Sequence, residues 1–572
     1  VWEHFQENDD RLRSGKQLCK NDPGHSQFIA EDGTVVSVPP PHESIYTISS
    51  AVFSQGCLPV SLYDKGDPAH GDYGAFGVPN GFSLPFLTAN AFTGYIAGNV
   101  DPYLSNHQST NLRHIQSQVP PRYLANNDTL EFNTEWNVTP ALTLNSETGY
   151  DRDFLWSTED FNRFETRPGI FEIPTSNDPH YGVITPSGNY NCNDGTYSIG
   201  QACAPNNGGS NFPAGLYCDP QLGCSDRLML QDLSTERAWQ LNQEFRLSSD
   251  FKGPFNFSAG GNYLHYETVE KFYVFSNSFT LIAYNACNSV SLWMPGVSDA
   301  FDCLANGKSY DHALFGGVPS QNPTYVDPNP ITNPNDNGRN YFLSKNPYNL
   351  NSYALFGEAY YNITNELKLT GGIRWTDDEK HFPEFPSRAL LPGYGIQQVG
   401  QIDQSWKKFS GRAVVNWMPK LEFTDQSMFY ASYAHGYKAG GANPPPAVLA
   451  ANGGTAFPVH PLTFEPEYID AFELGTKNTA MDGALTFNAD VFYYDYKGYQ
   501  ISQIVDRTSV NINVDATVRG AEVETSWSPL QGLKFGLTGG YEDTRIKDNQ
   551  YFIDLMDRTY GHHDTWTIMK PW

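Results

Sequence analysis

The 572 residues carry 63 acidic against 36 basic side chains, a formal net charge of -27, which disfavours binding to nucleic acid or to a bare anionic membrane surface. A mean hydropathy of -0.48 with 14% aromatic residues, and no apolar run approaching the ~20 residues of a membrane helix, excludes a helical membrane protein. The same composition suits a β-rich chain whose strands are apolar on one face only.

The chain opens at Val1 with VWEHFQENDD, which reads as a strand ending. It has no start Met and no charged-then-apolar export signal, so the sequence is expected to be incomplete. Residues 7–127 follow as a connection rich in Pro, Gly, Asn and aromatics. A structureless connection of that length is implausible, so it is expected to fold on itself. Next come strands over Thr129 to Val138 and Leu142 to Tyr150. In the first, Leu130, Phe132, Trp136 and Val138 alternate with Glu131, Asn133, Glu135 and Asn137, a period of two.

A second insertion, residues 162–237, leads to Trp239, Leu241, Phe245 and Leu247 alternating with Gln240, Asn242, Glu244 and Arg246, and then SDFKGPF turns into Phe255 to Glu270. The first set is expected to face lipid and the second the lumen. A third insertion, residues 277–351, precedes strands over Tyr353 to Tyr361 and Leu367 to Trp375. Phe409 to Trp417 and Ser427 to Lys438 continue the pattern, and Phe464 to Glu542 holds four more strands with two tight turns. Along the latter, polar residues sit at odd positions at Asn513, Asp515, Thr517 and Arg519 but at even positions at Glu522 and Glu524, a one-residue slip that predicts a bulge or strong bend at Gly520.

The count is about thirteen strands. Short turns alternate with connections of tens of residues, residues 504–510 being the exception. Membrane barrels place short turns on the periplasmic side and long loops outside, so the alternation itself assigns sidedness.

The wording of the last third is specific. FEPEYIDAFELGTKNTAMDGALTFNADVFYYDYKGYQ and NVDATVRGAEVETSWSPLQGLKFGLTGGY, with Glu-Leu-Gly-x-Lys at Glu473 to Lys477, Arg-Gly-x-Glu-x-Glu at Arg519 to Glu524 and the SPLQGL turn, strongly resemble the C-terminal barrel half of TonB-dependent outer-membrane receptors. SMFYASYAHGYKAGG is similar to the family's aromatic strand, and LRSGKQLC is also familiar from it. The resemblance covers barrel only, clearest over 405–545. It implies an all-β transmembrane antiparallel barrel of the receptor type with twenty-two strands, about thirteen of them present here, and long extracellular loops. It also implies residence in the outer membrane of a Gram-negative bacterium, capture of a scarce nutrient such as a ferric siderophore, haem, cobalamin or an oligosaccharide, and import driven by a TonB-type energy-transducing protein acting through a plug domain. No plug domain is legible in 1–572, so this stretch alone is expected not to perform energised uptake. A passive outer-membrane porin and a secreted β-rich carbohydrate-active enzyme are the rival readings. Heat-modifiable migration distinguishes a barrel from the enzyme, and an upstream plug distinguishes a receptor from a porin.

Eight cysteines, Cys19, Cys57, Cys192, Cys203, Cys218, Cys224, Cys287 and Cys303, precede residue 304 and fall in the loops. An even number in exported loops reads as disulfides, neighbour pairing giving Cys19 with Cys57, Cys192 with Cys203, Cys218 with Cys224 and Cys287 with Cys303; other pairings stay open. Zinc is disfavoured because the CxxC spacing is missing.

No catalytic constellation, metal site or cofactor site emerges. His562 and His563, followed by Asp564, point to opposite faces of an extended segment. Glu522 and Glu524 share one strand face as a lumen wall requires. Asn322 to Asn340 reads as turn chemistry rather than a calcium loop. Tyr493, Tyr494, Tyr496 and Tyr499 read as an interfacial girdle rather than a stacking platform. For ligand contact the residues singled out are Trp293, Tyr310, Tyr325, Arg339 and Tyr341 of the third insertion.

Overall fold

The computed structural model describes residues 1–13, 109–160, 221–277, 342–385, 398–445, 461–505 and 508–547, together with short stretches that include 27–29, 35–37, 165–166, 217–219, 331–334, 388–389, 551–553 and 566–568. Thirteen strands follow one another in a single antiparallel sheet, each bonded to the next in sequence. They are β1 (Trp2–Asp9), β2 (Arg122–Thr139), β3 (Leu142–Asp160), β4 (Leu230–Ser249), β5 (Phe255–Ser276), β6 (Phe342–Asn362), β7 (Leu367–Glu384), β8 (Gly400–Trp417), β9 (Gln426–Lys438), β10 (Glu467–Ala480), β11 (Leu485–Val505), β12 (Thr508–Leu530) and β13 (Leu533–Ile546). The strand count and the up-and-down order agree with the sequence reading.

Residues opposite each other in an antiparallel ladder share a face. The register therefore sorts every side chain onto one of two faces. Leu130 pairs with Tyr150 and Tyr150 with Leu241. Trp375 pairs with Phe409, and Leu474 with Val491. These residues form one continuous apolar face. Trp239, Leu241, Phe245 and Leu247 lie on it, and Gln240, Asn242, Glu244 and Arg246 lie on the other, as the alternation predicts. Over 401–410 of β8 the odd residues, in phase with the apolar face though here mostly polar (Gln401, Asp403, Ser405, Lys407, Phe409), are exposed, while the even ones, in phase with the other face, are half-shielded. That asymmetry makes the polar face the concave, lumenal side of the wall.

The apolar face has two aromatic edges. Near the short turns stand Trp136, the pair Trp417 and Phe429, with ring centroids 5.6 Å apart, and the pair Trp527 and Phe535 at 5.9 Å. At the other edge one ladder row runs Tyr433, Phe472, Tyr493. From Tyr493 to Leu485 is about 26 Å along a strand rising ~3.3 Å per residue, or about 20 Å of height at a tilt of ~40°, close to the apolar band of an outer-membrane barrel.

Three expectations need correction. The insertions are shorter than the sequence suggests: β1 runs on to Asp9, β2 starts at Arg122, β4 at Leu230 and β6 at Phe342, so 230–237 and 342–351 are strand rather than loop. Those extensions lie beyond the lipid-facing band, where strict alternation is no longer required. They carry a small core of their own, Leu233, Tyr273, Phe275 and Leu343. Gly520 is not at a bulge, because pairing runs unbroken from Arg519 to Glu522 on both sides of β12. The irregularity falls on β11 between Tyr496 and Tyr499, where Gly498 has φ +63°. The slip in the sequence has another cause. Arg519 stands in the aromatic edge, opposite Tyr493, and Thr517 and Asp515 face outward above it, where lipid gives way to water, whereas Glu522 and Glu524 face the lumen. Of the four tyrosines taken as a girdle, Tyr493 alone is on the outer face. Tyr494 and Tyr496 pair with Val518 and Ala516, and Tyr499 with Val514, all on the lumenal face.

Candidate ligand-binding wall of the lumen

The lumenal face is built by the even residues of β4 to β9 and β11 to β12 in the regular part of each strand, and by the odd residues of β10. Within the membrane band it carries charge. Arg412 on β8 donates to Glu358 on β6 through Nε at 2.7 Å and Nη2 at 3.0 Å. The two strands are not neighbours. Gly372 of β7 sits between them in register, and a Cβ there would stand 2.8 Å from the Glu358 carboxylate. The missing side chain opens the line along which the pair meets. Glu522 and Glu524, opposite Asp490 and Asn488, belong to this polar wall.

Above the band the wall turns aromatic. Tyr266, Tyr348 and Phe382 line up across β5, β6 and β7, with ring centroids 5.8 Å apart for the first pair and 4.9 Å for the second, which is stacked. Lys380 stands over both Tyr348 and Trp406, its Nζ 5.6 and 5.5 Å from the ring centroids, and donates to the Gly440 carbonyl at 2.7 Å. All four rings are half-buried, so each keeps part of its surface open to the lumen. On β11, Phe492 and Tyr494 stack at 5.0 Å, and Tyr496 and Tyr499 meet edge-on at 5.2 Å.

Between these two aromatic sets β9 and β10 stop short. β8 pairs with β9 only from Trp417 to Gly411, and from Ser410 to Gly400 it is paired on its β7 side but not with β9. Residues 439–445 and 461–466 fill the notch. On one side Tyr437 bonds Asp378 and Gly440 rests against the Trp406 ring, where a Cβ would stand 2.9 Å from Cζ2. On the other, the buried Asn443 amide donates to the carbonyls of Pro461 at 2.8 Å and Asn511 at 2.9 Å, and its carbonyl accepts the Asn511 N–H at 2.8 Å. Asn513 and Gln500 hold the Glu465 carbonyl at 2.9 and 3.0 Å. The base of this connection is a fixed part of the mouth.

Such a wall offers ring faces for stacking, polar groups for orientation and a cation held among rings, the ingredients of a recognition surface. Among the described residues no three metal-ligating side chains converge.

The family comparison decides what kind of barrel this is: the model for the TonB-dependent receptor-like β-barrel matches residues 174–561, well over half of the chain. The chain belongs to that family. Solved structures similar to this receptor barrel include the ferric yersiniabactin uptake receptor FyuA from Yersinia pestis, at 13% identity and a TM-score of 0.42 over 75% of this chain and 44% of that one. The ferric-catecholate import receptor Fiu from E. coli K12 matches at 12% identity and 0.42 over 80% and 53%. The siderophore receptor PiuA from Acinetobacter baumannii matches at 14% and 0.42 over 80% and 51%. The chain spans about half the length of these structures.

In the receptor barrel, the five residues singled out from sequence for ligand contact, Trp293, Tyr310, Tyr325, Arg339 and Tyr341, lie outside the described residues, as do His562, His563 and Asp564 and all of Asn322 to Asn340 except 331–334. Of the cysteines, the register sets Cys218 opposite Cys224 in the hairpin Tyr217–Asp219 and Gly223–Ser225; the other six lie outside the described residues. Tyr266, Tyr348, Lys380, Phe382 and Trp406 escaped the sequence reading. The signal was there: Lys380 and Phe382 keep the even phase of Arg374 and Thr376 beyond the point where the apolar alternation stops.

Proposed function

We propose that this chain is the barrel wall of an outer-membrane receptor that captures a scarce, bulky nutrient at the surface of a Gram-negative bacterium and passes it to the periplasm without chemical change. The family match over 174–561 carries this reading. Energy enters through a TonB-type protein acting on a plug domain of the full-length receptor, and the barrel is a conduit with a recognition surface at its mouth. The half-buried rings of Tyr266, Tyr348, Phe382 and Trp406 support a ligand with flat or apolar faces, leaving ferric siderophore, haem, cobalamin and oligosaccharide as the nutrient classes to be tried.

The test is uptake by cells that carry the full-length receptor or lack it, each nutrient being supplied in limiting amount. One of the four should enter only with the receptor present, and its entry should stop when the inner-membrane proton gradient is collapsed. Entry that persists without the gradient would make the protein a passive porin, and conversion of the nutrient at the cell surface would make it an enzyme.

A further inference from the structure

Of the three Asp-Gly pairs in the sequence, Asp32–Gly33, Asp194–Gly195 and Asp482–Gly483, the last lies among the described residues, in the turn between β10 and β11. Such a pair is open to attack by its own backbone. Glycine has no Cβ to shield its nitrogen, and that nitrogen can reach the aspartate Cγ by closing a five-membered ring. The step forms an N–Cγ bond and expels water, made from the amide proton and the carboxyl OH. Hydrolysis takes water back at either carbonyl, and opening on the Cα side leaves isoaspartate, with the main chain rerouted through the side chain. No oxidant or second protein is needed.

The turn holds this reaction back. Met481, Asp482 and Gly483 have φ of 61°, 56° and 82°, three consecutive left-handed residues, and the Ala484 N–H donates to the Met481 carbonyl at 3.1 Å. Ring closure needs the Gly483 nitrogen and the Asp482 Cβ on the same side of the Asp482 Cα–C bond. In the left-handed region ψ is about +30 to +60°, which sets those two atoms nearly opposite, so the peptide plane between the residues has to turn over first. A neighbouring turn resists that rotation. The Gly483 N–H donates to Asp425 Oδ2 at 2.8 Å, and Asp425 is itself fixed by its own N–H on the Thr479 carbonyl at 2.8 Å. Asp425 belongs to the connection between β8 and β9, so the restraint is tertiary. The Asp482 carboxylate, by contrast, is exposed and has no hydrogen-bond or ion-pair partner among the described residues. Only the nitrogen is held.

We infer that Asp482 is a site of spontaneous isomerisation to isoaspartate, held shut by the hydrogen bond from Gly483 to Asp425. The product carries one more carbon in the main chain of a four-residue connection between Ala480 and Leu485, which are paired with each other at the end of the ladder. A rival role for Asp425, a base that draws off the Gly483 proton during the attack, predicts the opposite effect of removing it.

The experiment keeps the full-length receptor in lipid vesicles at neutral pH and growth temperature for several weeks. Samples are digested with an endoproteinase that cuts before aspartate but not before isoaspartate, and mass spectrometry counts the peptides left uncut at 482. The same chain unfolded in urea gives the unrestrained rate. Folded wild-type receptor should isomerise at least about tenfold more slowly, because two hydrogen bonds must open before the plane can turn. Asp425→Ala should raise the folded rate about fivefold, the population change that one ordinary hydrogen bond controls, whereas D425N, whose amide oxygen still accepts, should stay close to wild type. Heat-modifiable migration shows that each variant is a folded barrel. Equal rates for folded and unfolded wild-type chain would overturn the inference without need of any variant. A folded D425A with the wild-type rate would also overturn it, and a slower one would make Asp425 the base of the reaction rather than its guard.

Discussion

The ring of Phe492 lies over Gly520, its direct partner across β11 and β12, so that a Cβ on Gly520 would stand 2.5 Å from Cζ. The same relationship recurs on the lumenal face with Phe356 over Gly260 and Tyr430 over Gly475. Each glycine supplies a seat, and each ring covers strand backbone that would otherwise be open. Gly520 is thus a packing position rather than a bend.

Gly520→Ala therefore clashes twice, with the Phe492 ring and with the Tyr541 carbonyl. It should destabilise the folded barrel by about 1 to 3 kcal/mol, the ordinary range for overpacking. Gly536→Ala, with nothing within 4 Å of its Cβ, is the control. Urea unfolding of both variants in lipid vesicles gives the comparison, and equal midpoints would refute the seat.

Leu241 is 36% exposed on the apolar face and pairs with Tyr150, while Asn242 faces the lumen. Leu241→Arg should cost about 2 to 4 kcal/mol if it meets mid-bilayer lipid, and Asn242→Arg about 0 to 1, because a charge on the lipid face has no water to solvate it. A reversed order in the same unfolding measurement would exchange the two faces.

Asn443 is 2% exposed and makes three hydrogen bonds to backbone groups of residues 461 and 511. Asn443→Ala leaves those groups without their partner, at about 1 to 3 kcal/mol for buried groups. The loss should be local. Hydrogen exchange should speed up at the Asn511 amide while the β12 amides of 520–526 keep wild-type protection; uniform acceleration along β12 would mean that the notch filling supports the whole wall.

The backbone register sets Cys218 opposite Cys224 in a two-stranded hairpin. A disulfide between them closes a short loop, worth about 2 kcal/mol on the chain-entropy model. Non-reducing peptide mapping should return the two peptides linked, and a link from either cysteine to Cys192, Cys203, Cys287 or Cys303 would reject the neighbour pairing.

The period-two pattern by itself determined where the wall is, how many strands it has, and which residues of Trp239 to Leu247 share a face, because a strand crossing lipid must be apolar at every second residue and no tertiary contact is needed to enforce that. The motifs from Glu473 to Lys477 and from Arg519 to Glu524 were likewise legible, being local strings. Only the register between strands decided the rest. It showed that Arg519 lies level with Tyr493 at the aromatic edge, so that a change of solvent rather than a bulge shifts the polar phase at Gly520. It moved Tyr494 and Tyr496 from the girdle to the lumen, opposite in phase to Tyr493, and the irregularity at Gly498 turned Tyr499 to the same side. It also brought Tyr266, Tyr348, Phe382 and Trp406 together from four strands. Beyond the bilayer neither lipid nor a large core dictates the alternation, so there the sequence shows no apolar periodicity of its own, only the phase carried on from the band below, and pairing with neighbouring strands sets which side chains meet.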